Sequence, residues 1–308
     1  MSYDHAPTTF DIEPLGDYSL EESAGFVEGW HRPPSEGPGA PGHLHLAFLT
    51  DGEWRPAGVC LTQDPSGVVH GAVYGEAEVD RVRAQTSRIL SLDIDGRAWP
   101  EVAVRDQVVA RLQRLFPGFR PVNWSNAYEA AAWCLISSRI TMRQGQAVKE
   151  RMCRELGRSV DIHGHRLYSF PGPEELVALT EVKGLFGRKV EYLQKLGRAA
   201  LAGAVDTERL RAMDSDAALA ELKKLAGIGE FGAQLVRLRA LSAVDELPTQ
   251  ERRLQEAVRQ MYGLARDPDM GELAKLAEGW RPYRMWVAVC LRRTMTGGAG
   301  MTHSRAAG

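Results

Sequence analysis

The run from Leu222 to Val236 contains the residues best suited to chemistry, because two glycines interrupt an otherwise helical pattern. Apolar residues at helical spacing precede Gly227 and Gly229, and a second helical pattern follows from Ala233. Neither glycine has a Cβ, so an anion can approach the backbone N–H groups at the start of the second helix. The pattern predicts a helical hairpin that binds one backbone phosphate of a nucleic acid. A purely structural link between two helices is the alternative.

Charge is distributed unevenly along the chain. The 308 residues carry a formal net charge of only −2. Residues 1–100 hold 6 Lys and Arg against 16 Asp and Glu, whereas the remaining residues hold 32 against 24. The part that contains the glycine pair is therefore positive and can attract phosphates.

The cysteines and histidines indicate neither a metal site nor a disulfide framework. No two cysteines have the short spacing of a zinc or iron–sulfur site; they are Cys60, Cys134, Cys153 and Cys290. The eight histidines share no spacing, and we expect His163-Gly-His165 to lie in a polar loop without a metal ligand. The sequence has no signal-peptide pattern and no apolar run long enough to span a bilayer. We expect a soluble, cytoplasmic protein.

The predicted secondary structure changes near residue 100, from mostly strands before it to helices after it. Before that point we predict strands and two helices; the strands are Leu44–Leu49, Ala57–Thr62, Gly67–Tyr74 and Ile89–Ile94, and the helices are Leu20–Trp30 and Glu76–Gln85. A Pro/Gly-rich loop covers Pro33–Gly42. From Val102 onward apolar residues recur at helical spacing; the main helices predicted are Asn126–Ile136, Met142–Leu156, Pro173–Leu179, Lys189–Ala202, Asp216–Leu225, Ala233–Leu241, Arg252–Met261 and Glu272–Arg293.

These patterns predict an α+β fold in which a small antiparallel sheet domain precedes a helical one. Residues 1–9 are expected to be a loose N-terminus, and residues 10–100 a sheet domain with two helices. Residues 101–293 form the predicted all-α domain, and residues 294–308 a disordered tail.

Three motifs occur in the order found in the helix-hairpin-helix DNA glycosylases. Tyr128–Thr141 resembles the first core helix and its following loop, Leu225–Ala233 the hairpin, and Trp280–Ala288 the Trp-x-Pro-x-Arg opening of a helix. The chain most closely resembles the 3-methyladenine DNA glycosylase II family, whose extra N-terminal domain is similar to the acidic sheet domain. The resemblance covers nearly the whole chain. It implies an enzyme that binds double-stranded DNA, rotates a damaged nucleotide out of the stack and hydrolyses the bond between base and sugar.

The resemblance further implies a catalytic acid at the start of the helix after the hairpin, where family members carry Asp. Aligning Leu247–Leu254 without a gap puts Glu251 at that place. A carboxylate beneath the sugar stabilises the positive charge that develops as the bond breaks. Glu251 is therefore the catalytic candidate, with a helix-capping acid as its alternative. A register shifted by one residue would place Gln250 there and would argue against catalysis, and Asp245 fits less well.

Other site residues also follow from the resemblance. The hairpin would bind the DNA backbone through Leu225, Ala226, Gly227, Ile228, Gly229, Gly232 and Ala233. Arg139 would fill the gap left by the rotated base, or else contact a phosphate. Phe231 would line the base pocket unless it is a core aromatic, and Leu235 and Arg292 stand at two further pocket positions that are aromatic in the family.

Phe231 also occupies the position at which strand-cutting relatives carry a lysine, so the resemblance implies a monofunctional glycosylase. We expect a monomer without a cofactor, apart from a monovalent cation that hairpin carbonyls could hold. The predicted function is base excision repair, with release of a damaged base, an alkylated purine, to leave an abasic site. Two alternatives stay open: a protein that binds damaged or distorted duplex DNA without cutting it, and a scaffold in which the hairpin only packs.

Overall fold

The strands form two antiparallel sheets. The computed structural model describes residues 7–30, 35–36 and 42–296. Its strands are β1 (Thr8–Ile12), β2 (Ser35–Glu36), β3 (Leu44–Leu49), β4 (Pro56–Gln63), β5 (Val69–Gly75), β6 (Ser159–Ile162) and β7 (His165–Tyr168). One sheet has the order β1-β5-β4-β3, and the other has the order β2-β7-β6.

Helices make up most of the chain after residue 78. They are α1 (Leu20–Trp30), α2 (Val79–Ile89), α3 (Trp99–Arg105), α4 (Gln107–Leu115), α5 (Ala127–Ser137), α6 (Met142–Leu156), α7 (Pro173–Val177), α8 (Lys189–Leu201), α9 (Thr207–Arg211), α10 (Ser215–Lys223), α11 (Glu230–Arg239), α12 (Arg252–Tyr262), α13 (Met270–Ala277) and α14 (Arg284–Thr296). Of the helices in the described ranges, none has both the length and the apolar character that a membrane crossing requires.

The four-stranded sheet is covered on both faces. Apolar side chains of β1, β3, β4 and β5 pack against α1 and α2 on one face, where Val59 and Leu61 have no exposed surface. The β6–β7 hairpin covers the other face, and a Cβ added to Gly58 would lie only 2.6 Å from Cγ1 of Val160. The hairpin, which belongs to the helical half of the sequence, therefore packs tightly onto the N-terminal sheet.

Two helical clusters follow the sheet. The first surrounds α5 and includes buried side chains of α6, α8, α10 and α11. The second joins α3 and α4 to α12, α13 and α14 around the fully buried Trp286. The candidate site lies where α5 and α11 of the first cluster face α4, α12 and α14 of the second.

Several predicted elements agree with the structure. The helix Leu20–Trp30 and the strand Leu44–Leu49 have the predicted bounds, and the α+β fold class is confirmed. The predicted central helix is α5, whose side chains are buried on most sides. The helix predicted from Ala233 begins earlier, at Glu230, because Gly229 occupies its N-cap position.

The edge of the sheet was predicted wrongly. Residues 89–94 are not a strand, because Ile89 ends α2 and the following turn contains Ser91 with φ of +54°. Leu90 and Leu92 are buried in that turn, which gives the segment the apolar alternation of a strand. The edge strand is instead β1, which begins at Thr8 within the segment predicted to be loose. The helix predicted at residues 76–85 is α2, displaced toward the C-terminus.

The second domain is not all-α. Residues 163–165 form the turn and first strand residue of the β6–β7 hairpin rather than a polar loop. The single helix predicted over residues 272–293 is divided into α13 and α14 by a 3-10 turn at Glu278–Trp280 and a cis peptide bond before Pro282.

Two predicted irregular segments are partly ordered. Within the predicted loop of residues 33–42, Ser35 and Glu36 pair with β7. Residues 31–34 and 37–41 lie outside the described part of the chain. The predicted tail begins inside α14, which extends to Thr296, and residues 1–6 and 297–308 also lie outside the described part.

Candidate functional site

The two hairpin glycines have different roles. Gly227 has φ of +85°, and an added Cβ would lie 2.6 Å from Cδ2 of Tyr192 and 2.8 Å from Cδ2 of Leu135. It therefore allows the turn to pack against the first helical cluster. Gly229 has an extended backbone, and an added Cβ would meet no atom within 4 Å. The hairpin thus packs closely against the protein at Gly227 and leaves free space beside Gly229.

Unpaired backbone donors lie beside Gly229. Ala233 N donates to Gly229 O at 2.9 Å, which is the first hydrogen bond of α11. The N–H groups of Glu230, Phe231 and Gly232 precede that bond and have no acceptor within the helix. Ile228 is buried beneath the turn and donates to Leu225 O at 3.1 Å, which holds the hairpin in shape. This arrangement suits a phosphate group at the helix N-terminus.

A cavity of about 740 Å³ lies between the two helical clusters, and α11 forms part of its wall. Its lining is mostly apolar with a few charged groups, and its size lies in the range of small-molecule sites. The residues that the argument uses are Trp133, Met142, Phe231, Leu235, Glu251 and Arg292. Four of these were predicted from the sequence as catalytic or pocket residues, and the structure brings all four together.

Glu251 faces this cavity. It is the N-cap residue of α12, yet its side chain makes no capping hydrogen bond. Instead its Oε1 accepts a hydrogen bond from Nε of Arg292 on α14. The predicted alternative, an acid that only caps the helix, does not describe the observed contacts.

The segment before Glu251 is held in one register. Gln234 Oε1 accepts hydrogen bonds from Thr249 N at 2.8 Å and Gln250 N at 3.0 Å. Gln250 is exposed and is not among the described residues that line the cavity. Asp245 lies elsewhere and forms ion pairs with Arg281 at 2.6 Å and with Arg284 at 3.0 Å. Of the acids considered from the sequence, Glu251 has the geometry of a cavity residue.

The cavity also contains arginines that the sequence did not single out. Arg239 extends from α11, and its Nη2 donates to Val122 O at 2.6 Å. Burial lowers the pKa of Arg239 to about 10, and the Glu251 carboxylate opposes that shift. Arg293 lies over the rings of Phe116 and Phe119, with Cζ 4.2 Å and 4.5 Å from their centroids. Arg239 from α11 and Arg292 and Arg293 from α14 therefore line the same cavity as Glu251.

Large apolar side chains lie at the mouth of the cavity. Phe231 is 54% exposed on the first turn of α11, so it is not a core aromatic. Met142, at the start of α6, is 44% exposed. Sequence analysis overlooked Met142 because a single apolar residue at a helix start has no periodic signal. Trp133 belongs to the buried core around α5, and it also forms part of the cavity wall.

Arg139 lies outside the cavity, in the loop between α5 and α6. It is exposed, and its φ of +56° is unusual for a residue with a side chain. The capping box of Thr141 and Gln144 fixes the start of α6 directly after it. The arginine is therefore presented on a well-defined loop close in sequence to Met142 at the mouth.

Known proteins resemble this chain in sequence and in fold. No family model matches it. It is 24% identical over 209 residues to the DNA-3-methyladenine glycosylase of Bacillus subtilis (strain 168), which covers 66% of this chain and 69% of that protein. The 3-methyladenine DNA glycosylase from Archaeoglobus fulgidus has a TM-score of 0.75 at 20% identity, over 92% of this chain and 96% of that one.

An 8-oxoguanine glycosylase/lyase from Clostridium acetobutylicum, solved with double-stranded DNA containing cytosine opposite 8-oxoguanine, has the same fold. Its TM-score is 0.63 at 16% identity, over 91% of this chain and 95% of that one. Both structural matches extend over the sheet domain as well as the helical clusters. The fold is therefore shared over both parts of the chain.

Proposed function

We propose that this chain is a helix-hairpin-helix DNA glycosylase, and that it is a monofunctional glycosylase of base excision repair. It would act as a monomer on double-stranded DNA and release an alkylated purine, leaving an abasic site. The observation that carries the proposal is the position of Glu251, whose carboxylate makes no capping bond and lines the cavity beside the open hairpin.

The parts of the site suit successive steps of base excision. The N–H groups at the start of α11 bind a phosphate next to the lesion. The damaged nucleotide rotates out of the stack into the cavity, because its glycosidic bond is unreachable within the duplex. Phe231, exposed at the mouth, offers its ring to the base for stacking.

Glu251 then stabilises the sugar. The bond from C1′ to the base nitrogen breaks with its electron pair going to the base, and positive charge builds on the sugar. A water oxygen forms the new bond to C1′ and loses a proton to the carboxylate or to solvent. Arg292 contacts Oε1, which leaves Oε2 for this role. An alkylated purine carries a positive charge before cleavage and departs as a neutral base, so it needs little further help.

The test uses duplex oligonucleotides that contain 3-methyladenine, 7-methylguanine, hypoxanthine or uracil, with alkali to cleave at abasic sites. Release of a base is expected from at least one alkylated purine. Glu251→Gln should lower the rate by about 10²–10³-fold, because one electrostatic stabiliser of the transition state is removed. DNA affinity should persist in that variant. Glu256→Gln, on the same helix and with the same loss of charge, is the matched control.

A second candidate function is the recognition of damaged duplex DNA without cleavage. The ion pair between Arg292 and Glu251 favours it, since a carboxylate engaged by a guanidinium is less available to a sugar. Tight binding to abasic-site DNA, with no base released from any of the four lesions, would support this candidate.

No cofactor is proposed for the reaction, apart from a monovalent cation at the hairpin carbonyls. Its contribution is measured by comparing DNA affinity in potassium and lithium chloride at equal ionic strength. A loss of affinity in lithium supports the cation, and equal affinities argue against it.

A further inference from the structure

Four side chains with metal-ligating atoms meet where the β6–β7 hairpin covers the N-terminal sheet. They are His43, His45, Cys60 and His163, and their ligand atoms all lie within 4.8 Å of one another. Sequence analysis assigned no metal site because these residues are scattered along the chain. The structure brings them together through strand pairing and the packing of the hairpin.

Three of the four share a face of the sheet for simple geometric reasons. His45 is the second residue of β3 and His43 directly precedes the strand, so with extended backbone their side chains project in the same direction. Cys60 on β4 is the direct cross-strand partner of His45, and directly opposed residues lie on one face. His163 lies in the β6–β7 turn, which packs on the same face of the sheet. The turn is tight, with φ of +51° at His163 and +76° at Gly164.

The distances suit one small ion. Nδ1 of His43 lies 3.1 Å from Sγ of Cys60. The ring centroids of the three histidines are 5.8–6.0 Å apart in every pair. Around a tetrahedral zinc ion with ordinary bond lengths, the ligand atoms are about 3.5 Å apart. The observed group therefore needs only a small contraction to hold such an ion.

Burial gives a second, independent indication. His45 is 9% exposed and Cys60 is 5% exposed. Nε2 of His45 is buried with no hydrogen-bond partner in the described structure, which is costly for a polar atom. A metal ion in the group would supply the missing partner.

Neighbouring polar groups orient the imidazoles. Nδ1 of His45 lies 3.3 Å from Nδ1 of His165 on β7. The hydroxyl of Tyr74 on β5 lies 3.3 Å from Nε2 of His163. Such outer contacts are the usual means by which proteins fix the ring orientation of ligating histidines.

We propose that His43, His45, Cys60 and His163 bind one zinc ion. Three imidazoles and one thiolate complete a tetrahedral set of four protein ligands, as in structural zinc sites, whereas catalytic sites keep one position open for water or substrate. None of the four is among the described residues that line the cavity. The ion connects the β6–β7 hairpin to the N-terminal sheet. It has no part in the glycosylase reaction.

The experiment measures metal binding by the full-length protein. The protein is stripped with a chelator, dialysed, and titrated with Zn²⁺ and with Co²⁺. We expect one ion per chain, and with Co²⁺ a thiolate-to-metal charge-transfer band together with the visible bands of tetrahedral cobalt. Cys60→Ser should abolish the charge-transfer band. His163→Ala should weaken zinc binding by more than about tenfold, as the loss of a ligand requires.

A matched variant controls for the loss of any histidine. His70 lies on β5 and contacts Asp11 at 2.7 Å and Asp64 at 3.1 Å, away from the group. His70→Ala should keep one zinc ion per chain. Should Cys60→Ser fail to fold, His163→Ala decides the question, because His163 is an exposed turn residue.

Thermal unfolding gives a second measurement. Zinc should raise the Tm of the stripped wild-type protein, because an ion that binds only the folded state stabilises it by mass action. The same addition should raise the Tm of His163→Ala by much less, because that variant binds zinc more weakly. Equal zinc content in the wild type and both ligand variants, or a cobalt spectrum without a thiolate band, overturns the proposal. Base release by zinc-free protein is a separate measurement, so the outcome is independent of the glycosylase assignment.

Discussion

Glu251 and Arg292 form an ion pair inside the cavity, between the start of α12 and the middle of α14. The pair places a cation where the resemblance expects an aromatic ring. A cationic base would gain from an aromatic face and lose from a guanidinium. The residue at position 292 is therefore expected to control which lesions are released.

Replacing Arg292 by Phe tests this expectation. The ratio of single-turnover rates for 7-methylguanine and hypoxanthine should rise roughly tenfold, the size of one cation–π contact at a partly buried site. Hypoxanthine is the internal control because it is neutral in DNA. An unchanged ratio would show that Arg292 does not approach the base.

The two hairpin glycines should respond differently to alanine. Gly227→Ala introduces a Cβ into Tyr192 and Leu135 at a left-handed φ, so the fold should lose roughly 1–3 kcal/mol. Gly229→Ala has room within the protein, and its Tm should stay close to that of the wild type. Its DNA affinity should fall because the methyl group projects toward the phosphate. Circular dichroism melting and fluorescence anisotropy measure the two effects, and a lowered Tm in Gly229→Ala contradicts this division.

A lysine introduced at Phe231 should convert the chain to an enzyme that forms a covalent bond to DNA. Phe231 lines the cavity at its mouth, so an amine there can reach the sugar carbon that the base has left. Schiff-base formation requires such an amine. Borohydride should trap a protein–DNA adduct with Phe231→Lys and none with the wild type. A trapped adduct with the wild-type protein would contradict the monofunctional assignment.

Arg139 should act by filling space in the duplex rather than by neutralising a phosphate. It is exposed on a rigid loop with a left-handed φ, close in sequence to Met142 at the cavity mouth. Arg139→Ala should reduce base release by roughly tenfold while the dependence of log affinity on log salt keeps its slope. Loss of a phosphate contact would instead reduce that slope by about one. Lys223→Ala, close to the hairpin, serves as the charge control.

Local sequence patterns predicted the hairpin, and the family resemblance predicted four of the residues that line the cavity. Gly227 and Gly229 mark a helix end and a helix start within a few residues, and that signal needs no distant partner. Glu251 was located by aligning Leu247–Leu254 with the family pattern without a gap, and the hydrogen bonds that Thr249 N and Gln250 N donate to Gln234 account for its register. Arg239 and Met142 were missed because neither departs from the ordinary pattern of its helix.

Long-range pairing could not be predicted in the same way. β1 was not predicted as a strand, and its first two residues were assigned to the loose N-terminus, because five residues with mixed character identify no partner strand. Leu90 and Leu92 imitate the apolar alternation of a strand, although both side chains are buried in a turn. His43 and His163 lie together because the β6–β7 hairpin packs on the N-terminal sheet, and no residue spacing in the sequence predicts that packing.

The cover that β6 and β7 place over the N-terminal sheet affects the order of events during synthesis. When β1 to β5 and α2 have left the ribosome, α1 and α2 can cover only one face of the four-stranded sheet. The face that carries Gly58 and Cys60 stays exposed to solvent until β6 and β7 have been synthesised, which requires translation past Tyr168. Nascent chains arrested before that point should therefore aggregate or bind chaperones, although all residues of their N-terminal domain have been synthesised.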